Sequence, residues 1–397
     1  MKFAHLADCH LGSWREGKLR DLNMQAFKEA VDICIKENTA FVLISGDLFD
    51  IALPSIDIIK ETTGILRKLK NENISCYIIP GSHDFSVSGK TMLDILEKAG
   101  LLINVGKIEK TEDERINLGF VEDKTGIKIT GLMGKRRGLE KSYYEILNKE
   151  ILEKEPGFKI FMFHSSLDEL KPKELENVES HSLSLLPKGF DYYAGGHLHY
   201  VIKGEKNGYN LVVYPGALFP NNFSELEKDK HGGFYIGDVK GKNVDLKFVP
   251  IKLKDVISLK IDANKKSAEA VENDVKNSLK KESLKDKIVL LTVAGVLSSG
   301  KPSDINFKDL LNIDSYCILK NTNKLIPKEI EELSINSDST EDIEKETVKE
   351  FLEKDKFLNE SIIHSLIISL NLKKGEGERN ADFENRIFEE VNKILKV

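Results

Sequence analysis

The sequence predicts a layered α/β fold, in which helices cover both faces of a central sheet. Up to about residue 250, short apolar runs alternate with amphipathic stretches whose apolar residues recur at helical spacing, as in βαβ units. Runs such as FVLIS and CYIIP are apolar throughout, which is typical of strands covered on both faces. Three later runs, LVVYP, GFYIGDV and VDLKFVP, follow one another with short turns, so we expect them to be antiparallel.

The length of 397 residues favours two or three domains. We predict a first α/β domain over residues 1–252, a small α/β capping domain over 253–325, an acidic linker over 326–345 and a C-terminal helical segment over 346–397. The small domain is predicted from three apolar runs that alternate with helical stretches. The linker is predicted from its Ser, Asp and Glu content.

The C-terminal segment carries apolar side chains at helical spacing. An apolar helix face that has no domain of its own must be buried elsewhere, so we expect this segment to bind a partner protein, with folding back onto the chain as the alternative. The candidate partner-binding residues are Phe351, Phe357, Ile362, Ile363, Leu366, Ile367 and Leu370.

Composition excludes several classes of protein. The N-terminus has neither a charged region nor a long apolar region, and no run of 18 apolar residues occurs, so we expect neither secretion nor membrane insertion. The four cysteines have no CxxC spacing, which excludes a disulfide scaffold and a cysteine zinc site and favours the reducing cytoplasm. The net charge of −6 comes from the acidic stretch 331–360, so it says little about binding to nucleic acid.

Five segments place polar, metal-competent side chains directly after an apolar run. The ligand crevice of an open α/β sheet lies outside the carboxyl ends of its strands, so all five groups can converge there. Any one such motif arises by chance in many proteins, whereas five in succession are hard to explain as ordinary surface residues. The five groups are Asp8 and His10, Asp47 and Asp50, His83 and Asp84, His164, and His197 with His199.

Carboxylates and imidazoles without a thiolate favour Mn, Fe or Zn over Mg or Ca. Two such ions about 3.5–4 Å apart can hold both the attacking and the leaving oxygen of a phosphate. We predict that one ion is held by Asp8, His10, Asp47 and His199, and that Asp47 bridges to a second ion held by His164 and His197. His83 is then left over as a proton donor or phosphate stabiliser. We expect the remaining histidines, His5, His181, His231 and His364, to be packing or surface residues.

The five motifs resemble the calcineurin-like metallophosphoesterase family, and HLADCHLG with GDLFD more narrowly resembles the DNA nuclease subunit of the SbcD/Mre type. The resemblance implies a metallophosphoesterase sandwich of central sheets flanked by helices. It also implies endonucleolytic and 3′ to 5′ exonucleolytic cleavage of DNA, two Mn ions per subunit and a role in double-strand-break repair. The implied partners are a second copy of the chain and a coiled-coil ABC ATPase of the SbcC/Rad type.

Two residues depart from the family pattern. Ser82 stands where the family has an asparagine ligand, and a hydroxyl is a poorer ligand than an amide oxygen, so Ser82 is a candidate ligand of a weakened second metal. Asp50 stands where many relatives have histidine. Two alternatives to the nuclease remain. One is a phosphoesterase that acts on other substrates, because a fold does not fix the substrate, and the other is a subunit that tethers DNA with catalysis weakened by Ser82.

Contacts to DNA are expected in two basic loops, because small basic clusters beside glycine suit a loop that follows a phosphate backbone. The alternative for both is an ordinary solvated loop. For Trp14 we favour a partly buried anchor over a base-stacking role. The helices over 58–69 and 91–101 are candidates for the dimer contact that the resemblance implies, with packing on their own sheet as the alternative. The candidate DNA contacts are Arg15, Lys18, Arg20, Lys135, Arg136 and Arg137.

Overall fold

The computed structural model describes residues 1–85, 91–206, 208–281, 283–328, 365–366, 369–370, 372 and 380–395. Its α-helices are α1 (Gly17–Lys36), α2 (Ile56–Asn71), α3 (Met92–Lys98), α4 (Lys141–Glu145), α5 (Lys149–Lys154), α6 (Phe223–Asp229), α7 (Ala268–Lys281), α8 (Phe307–Leu310) and α9 (Asn380–Leu395). Short 3₁₀ turns occupy Arg136–Gly138, Lys173–Leu175, Leu183–Leu185 and Pro302–Asp304. Of the predicted partner-binding residues, Phe351, Phe357, Ile362, Ile363 and Ile367 lie outside the described residues, as does most of the predicted linker.

The first sheet has six strands, in the order β14 (Asn243–Pro250), β13 (Gly233–Lys240), β1 (Lys2–Leu6), β2 (Phe41–Ser45), β3 (Ser75–Ile79) and β4 (Ile103–Asn104). The four strands from β1 to β4 are parallel, whereas β13 runs antiparallel to β1 and β14 antiparallel to β13.

The second sheet also has six strands, in the order β11 (Val201–Lys206), β12 (Tyr209–Pro215), β10 (Tyr192–Gly196), β9 (Lys159–His164), β8 (Lys128–Leu132) and β7 (Val121–Glu122). Strands β8, β9, β10 and β12 are parallel, and the edge strands β7 and β11 are antiparallel to their neighbours. A separate pair, β5 (Ile108–Lys110) with β6 (Ile116–Leu118), lies outside both sheets.

A shared apolar core joins the inner faces of these two sheets, so the predicted sandwich with flanking helices is confirmed. Phe41 and Leu43 of β2 belong to a cluster with Ile160 and Met162 of β9. The intervening residue Val42 packs in a different cluster with side chains of α1 and α2. Each face of β2 is therefore covered, which is why its sequence shows no polar alternation.

The predicted antiparallel arrangement of the three late strands is wrong for the first of them. Strand β12, which contains LVVYP, pairs in parallel with β10 in the second sheet. Strands β13 and β14 do pair antiparallel, but in the first sheet. The segment between β12 and β13, which includes α6, carries the chain from one sheet to the other, so sequence neighbours are not neighbours in a sheet.

The chain forms two compact units that are interleaved in sequence. The first contains residues 1–258, 284–290 and 314–319, and the second contains 259–283, 291–313 and 320–397. In the first, Ile288, Leu290 and Cys317 are part of the same core cluster as α1. The contiguous limits at 252 and 325 stay predictions. The third sheet is built around β17 (Ile288–Ser299), with β15 (Val256–Asp262), β16 (Lys266–Ser267), β18 (Cys317–Asn321) and β19 (Leu325–Ile326).

All four cysteines are free and buried. Among the residues described here, no helix combines the length and the apolar composition that crossing a membrane requires.

Candidate metal centre

The carboxyl ends of parallel strands from both sheets bring the predicted metal-competent side chains together. Asp8 and His10 follow β1, Asp47 follows β2, and His164 is the last residue of β9. His199 comes three residues after β10. Because the two sheets face each other with these ends on the same side, groups far apart in sequence approach to within hydrogen-bonding distance.

Asp47 lies at the middle of the cluster. Its Oδ2 is 3.1 Å from Nε2 of His164 and 3.7 Å from Nε2 of His10. The hydroxyl of Ser82 donates to the same oxygen over 3.3 Å, and the backbone N–H of His83 donates to Oδ1 over 2.7 Å. One carboxylate therefore contacts side chains on both sides of the cluster, as a bridging ligand would.

A first group of ligand atoms comes from Asp8, His10 and His199, which lie within 4.8 Å of one another. Nε2 of His10 and Nε2 of His199 are 3.1 Å apart, and the second of these is 3.9 Å from Oδ1 of Asp8. Ligand atoms bound to one ion at about 2.0–2.2 Å are separated by about 3 Å, so the spacing of the two imidazoles fits a shared ion.

A second group comes from Asp8, Asp47 and His164, again within 4.8 Å. Nδ1 of His164 lies 2.8 Å from the carbonyl oxygen of Ser45, which can only accept, so Nδ1 carries the proton. The lone pair on Nε2 then faces a carboxylate oxygen of Asp47, and Nε2 has no hydrogen-bond partner although it is buried. Two buried acceptors in contact need a cation between them, and a divalent metal fits this position.

The second group differs in composition from the predicted set. His197 is not in either ligand group, although its ring lies 5.2 Å from that of His164, and its backbone N–H donates to Asp8. Asp8 takes part in both groups instead. Which residues hold which ion therefore stays a prediction, with Asp47 as the predicted bridge.

His83 lies on the open side of the cluster. Its side chain is 42% exposed, against 0% for His164 and 3% for Asp47. Its Nδ1 is 2.7 Å from the carbonyl oxygen of Asp50, so Nδ1 is protonated and Nε2 is free to exchange a proton with a bound molecule. The carboxylate of Asp50 is 3.4 Å from Nδ1 of His10, and these two side chains with that of His83 form a further set of possible ligand atoms within 4.8 Å of one another.

The backbone is strained where it presents the ligands. Asp8, His10, Asp47 and His197 all have positive φ, at 49°, 43°, 52° and 90°. Non-glycine residues rarely adopt this conformation, at a cost of about 1–3 kcal/mol each, and such residues concentrate at functional sites.

Close packing around the ligands explains why glycine precedes two of the motifs. A Cβ on Gly81 would lie 2.2 Å from Oδ1 of Asp47. Gly46, at φ +85°, would place a Cβ 2.2 Å from Nδ1 of His164. Neither position has room for a side chain.

The electrostatics of the cluster separate its histidines. Burial lowers the pKa of His164, but Asp47 more than offsets this and raises the pKa to about 10. For His199, burial is likewise outweighed by the hydrogen bond to Glu225 and the charge of Asp8, and the pKa is raised to about 9. His197 lacks such a partner, so burial and the neighbouring His164 lower its pKa to about 3. The first two imidazoles therefore face negative charge that also favours a metal ion.

Two acidic residues near the cluster have roles that the motifs did not indicate. Asp84 is buried and accepts the backbone N–H groups of Leu48, Phe49 and Gly81, so it ties two ligand loops together. Glu225 contacts His199 from helix α6, and no motif or spacing in the sequence points to it.

The predicted DNA-contact residues fall into two kinds. Arg15 and Arg20 are exposed. Lys18 and Lys135 are already engaged: Lys18 donates to the carbonyl of Tyr316, and Lys135 lies 3.6 Å from the ring centroid of Tyr143.

The remaining two basic-loop residues are Arg136 and Arg137. Arg136 donates to the carbonyl of Ser82 beside the cluster, and the side chain of Arg137 lies outside the described residues. Trp14 is partly buried and its indole donates to the carbonyl of Pro220, which confirms an anchor.

The other histidines are mostly packing residues, as predicted. His5 is buried between Tyr192 and Ser45, and His181 is buried against Ser165. His231 is partly exposed, and His364 lies outside the described residues.

The chain is similar to several known proteins. The chain is 29% identical over 370 residues to the DNA double-strand break repair protein Mre11 of Methanococcus maripaludis, covering 88% of this chain and 91% of that protein. It is 26% identical to the protein of the same name from Archaeoglobus fulgidus, covering 98% and 89%. A dimetal phosphatase structure from Danio rerio superposes with a TM-score of 0.40 at 11% identity, covering 64% of this chain and 97% of that one.

A family model described as calcineurin-like phosphoesterase matches residues 1–201, half of the chain. The matched region spans both ligand groups, from Asp8 to His199. This chain therefore belongs to the calcineurin-like phosphoesterase family.

Proposed function

We propose that this protein is a manganese-dependent DNA nuclease that acts in the processing of DNA double-strand breaks. It hydrolyses phosphodiester bonds by a two-metal mechanism, with endonucleolytic and 3′ to 5′ exonucleolytic activity. The observation that carries the proposal is Asp47, whose Oδ2 lies 3.1 Å from Nε2 of His164 in its own ligand group and 3.7 Å from Nε2 of His10 in the other. The name of the archaeal relatives, DNA double-strand break repair protein, supports DNA as the substrate.

Seven side chains would hold the metal ions, and His83 would transfer a proton. Asp8, His10, Asp47, His164, His197 and His199, with Ser82, would hold two Mn ions per subunit. When bound, these ions activate water and neutralise charge on the phosphate. His83, with its Nδ1 proton held by the carbonyl of Asp50, presents Nε2 on the exposed side, where it can give a proton to the leaving oxygen.

DNA is proposed to cross the open side of the cluster. Arg15 and Arg20 are exposed after the first ligand motif, and Arg136 is fixed beside Ser82. Cationic side chains in these positions would contact the phosphate backbone and orient it without reading sequence.

Two assemblies are proposed with the activity. Helices α2 and α3 carry highly exposed apolar side chains, with Ile56 82% and Ile95 57% exposed, which favours burial against a second copy of the chain. In the C-terminal segment Leu370 and Phe388 are exposed, which favours docking on the coiled coil of an ABC ATPase. The free buried cysteines are consistent with a cytoplasmic location.

The test is cleavage of 3′- and 5′-labelled duplex and single-stranded DNA with Mn, with Mg and with EDTA. The expected result with Mn is early release of the 3′ label and a ladder of shortened products from 5′-labelled strands, with neither in EDTA. Asp47→Ala is the inactive control, because it removes the proposed bridge. Intact DNA together with hydrolysis of small phosphodiesters would point to a phosphoesterase with another substrate.

A DNA-tethering subunit with weakened catalysis is the second candidate, and Ser82 is the observation that favours it. Its hydroxyl donates to Asp47 over 3.3 Å, and a neutral hydroxyl binds a divalent ion less well than an amide oxygen. Tight binding of DNA and of metal without any cleavage would support this candidate over the nuclease.

A further inference from the structure

We propose that Glu225 is a positioning residue for His199, holding its imidazole so that Nε2 is free to bind the metal. The inference rests on the proposed metal site and goes beyond its ligands. Oε1 of Glu225 lies 2.9 Å from Nδ1 of His199. Both side chains are largely buried, at 21% and 20% exposure, so water competes little for this contact.

Within the described part of the chain, the other hydrogen bonds of the Glu225 carboxylate come from donors. The amide Nδ2 of Asn222 donates to Oε1 over 2.6 Å, and the backbone N–H of Asn221 donates to Oε2 over 2.8 Å. A carboxylate surrounded by donors stays ionised and can only accept. Nδ1 of His199 must therefore be the protonated nitrogen.

The consequence lies at the other end of the ring. With the proton on Nδ1, neutral His199 has its lone pair on Nε2, the atom that lies 3.1 Å from Nε2 of His10 and 3.9 Å from Asp8. The alternative tautomer would put a hydrogen into the ligand cluster. A carboxylate behind a metal-binding histidine both selects the tautomer and fixes the ring orientation.

Local sequence and one long-range contact hold Glu225 in place. Asn222 precedes α6 and its side chain accepts the backbone N–H of Glu225, while Glu225 returns contacts to residues 221 and 222, in the manner of a reciprocal cap. Farther back, the indole of Trp14 donates to the carbonyl of Pro220 over 2.9 Å and anchors the same loop. The loop is thus fixed independently of any metal.

The experiment measures metal binding rather than cleavage. Mn and Co titrations of the full chain by calorimetry, with the visible spectrum of bound Co, compare the parent with Glu225→Ala, Glu225→Gln and Glu225→Met. We expect Glu225→Ala to weaken one of two bound ions by about 10–100-fold. Glu225→Met, which keeps the size but has no acceptor, should do the same, whereas Glu225→Gln keeps one acceptor oxygen and should restore part of the affinity.

Two controls separate positioning from a general loss of structure. Ser224→Ala, on the exposed side of α6, should leave both affinities unchanged. Trp14 is the only tryptophan of the chain and is bonded to the loop, so its fluorescence reports whether the loop has moved.

A double-mutant cycle with His199→Ala gives the deciding result. If Glu225 acts through His199, adding Glu225→Ala to His199→Ala produces no further loss of metal affinity. Equal metal affinity of Glu225→Ala and the parent, full restoration by Glu225→Met, or additive losses in the double variant would each overturn the proposal. Because the readout is metal binding, absence of DNA cleavage would count against the nuclease and leave this inference standing. A parent chain that binds no ion would contradict both.

Discussion

Nε2 of His164 and Oδ2 of Asp47 lie 3.1 Å apart in the interior of the sandwich. Both atoms are acceptors unless the imidazole ring is doubly protonated. The other ring nitrogen is bonded to the carbonyl of Ser45 and cannot turn away. In the absence of a metal ion, Asp47 draws a proton to this ring, since its charge outweighs burial and raises the pKa of His164 to about 10. A metal ion held by these two side chains would take the place of that proton.

Replacing Asp47 with Asn tests the bridge directly. The side chain keeps its size but loses its charge, and we expect DNA cleavage to fall by more than about 10³-fold because several kcal/mol of charge stabilisation are lost. Metal content by mass spectrometry should fall in parallel. Asp245→Asn, which removes a carboxylate exposed at 68% and far from both ligand groups, serves as the matched control and should keep full activity.

His83 is expected to affect turnover and not metal content. In His83→Gln we expect kcat for DNA cleavage to fall about 10²–10⁴-fold, because a positioned proton donor contributes a factor of that size. Two bound ions should remain, since the hydrogen bond from His83 to Asp47 comes from its backbone N–H, which the variant keeps. Loss of an ion in this variant would show that His83 is a ligand and contradict the proton-transfer role.

Ser82→Asn adds an amide oxygen at the hydroxyl that now contacts Asp47. We expect tighter binding of the more weakly held Mn, by roughly tenfold, because an amide oxygen is a better ligand for a divalent ion. The measurement is Mn affinity by calorimetry, with cleavage rates at limiting Mn. A rise from no detectable cleavage to robust cleavage would favour the tethering function for the parent chain.

Gly81→Ala should disable the centre through sterics alone. The added Cβ would meet Oδ1 of Asp47 at 2.2 Å, so the carboxylate or the loop must shift. We expect weaker metal binding together with about 1–3 kcal/mol lower stability in urea unfolding. Gly64→Ala is the matched control: it lies within α2 with no atom within 4 Å of the added Cβ, and should stabilise the protein by about 0.5–1 kcal/mol.

His5 should make the protein sensitive to acid. Burial lowers its pKa from 6.5 to about 3, and its Nδ1 accepts from the hydroxyl of Tyr192, a bond that protonation would break. The unfolded chain therefore binds a proton between pH 6.5 and 3 that the folded chain does not, so stability falls as pH falls through this window.

The measurement is urea unfolding of the parent and of His5→Gln at pH 7 and pH 4.5. The loss of stability between the two pH values should shrink in the variant by about 3 kcal/mol, at about 1.4 kcal/mol for each pH unit below 6.5. His231→Gln, which removes a more exposed histidine, should change the slope much less. An unchanged slope in His5→Gln would show that His5 is not the group responsible.

Much of the centre was predictable because strand ends impose a direction. A polar residue directly after a buried parallel strand, such as Asp47 after FVLIS, has to appear at the carboxyl edge of its sheet. The same rule placed His164 and His199, and the apolar run around His5 was enough to predict that this histidine is buried.

The sequence by itself determined which residue types gather at one edge of the sheets, whereas the tertiary structure decided which of them touch. Glu225 contacts His199 only because the loop that Trp14 anchors returns to the metal-ligand cluster. Lys135 lies over the aromatic ring of Tyr143. Strand β12 likewise joined the second sheet instead of pairing with β13. The physical reason is that periodicity along the chain determines which face of each helix or strand is buried. Contacts between elements depend instead on how the two sheets pack across their shared core.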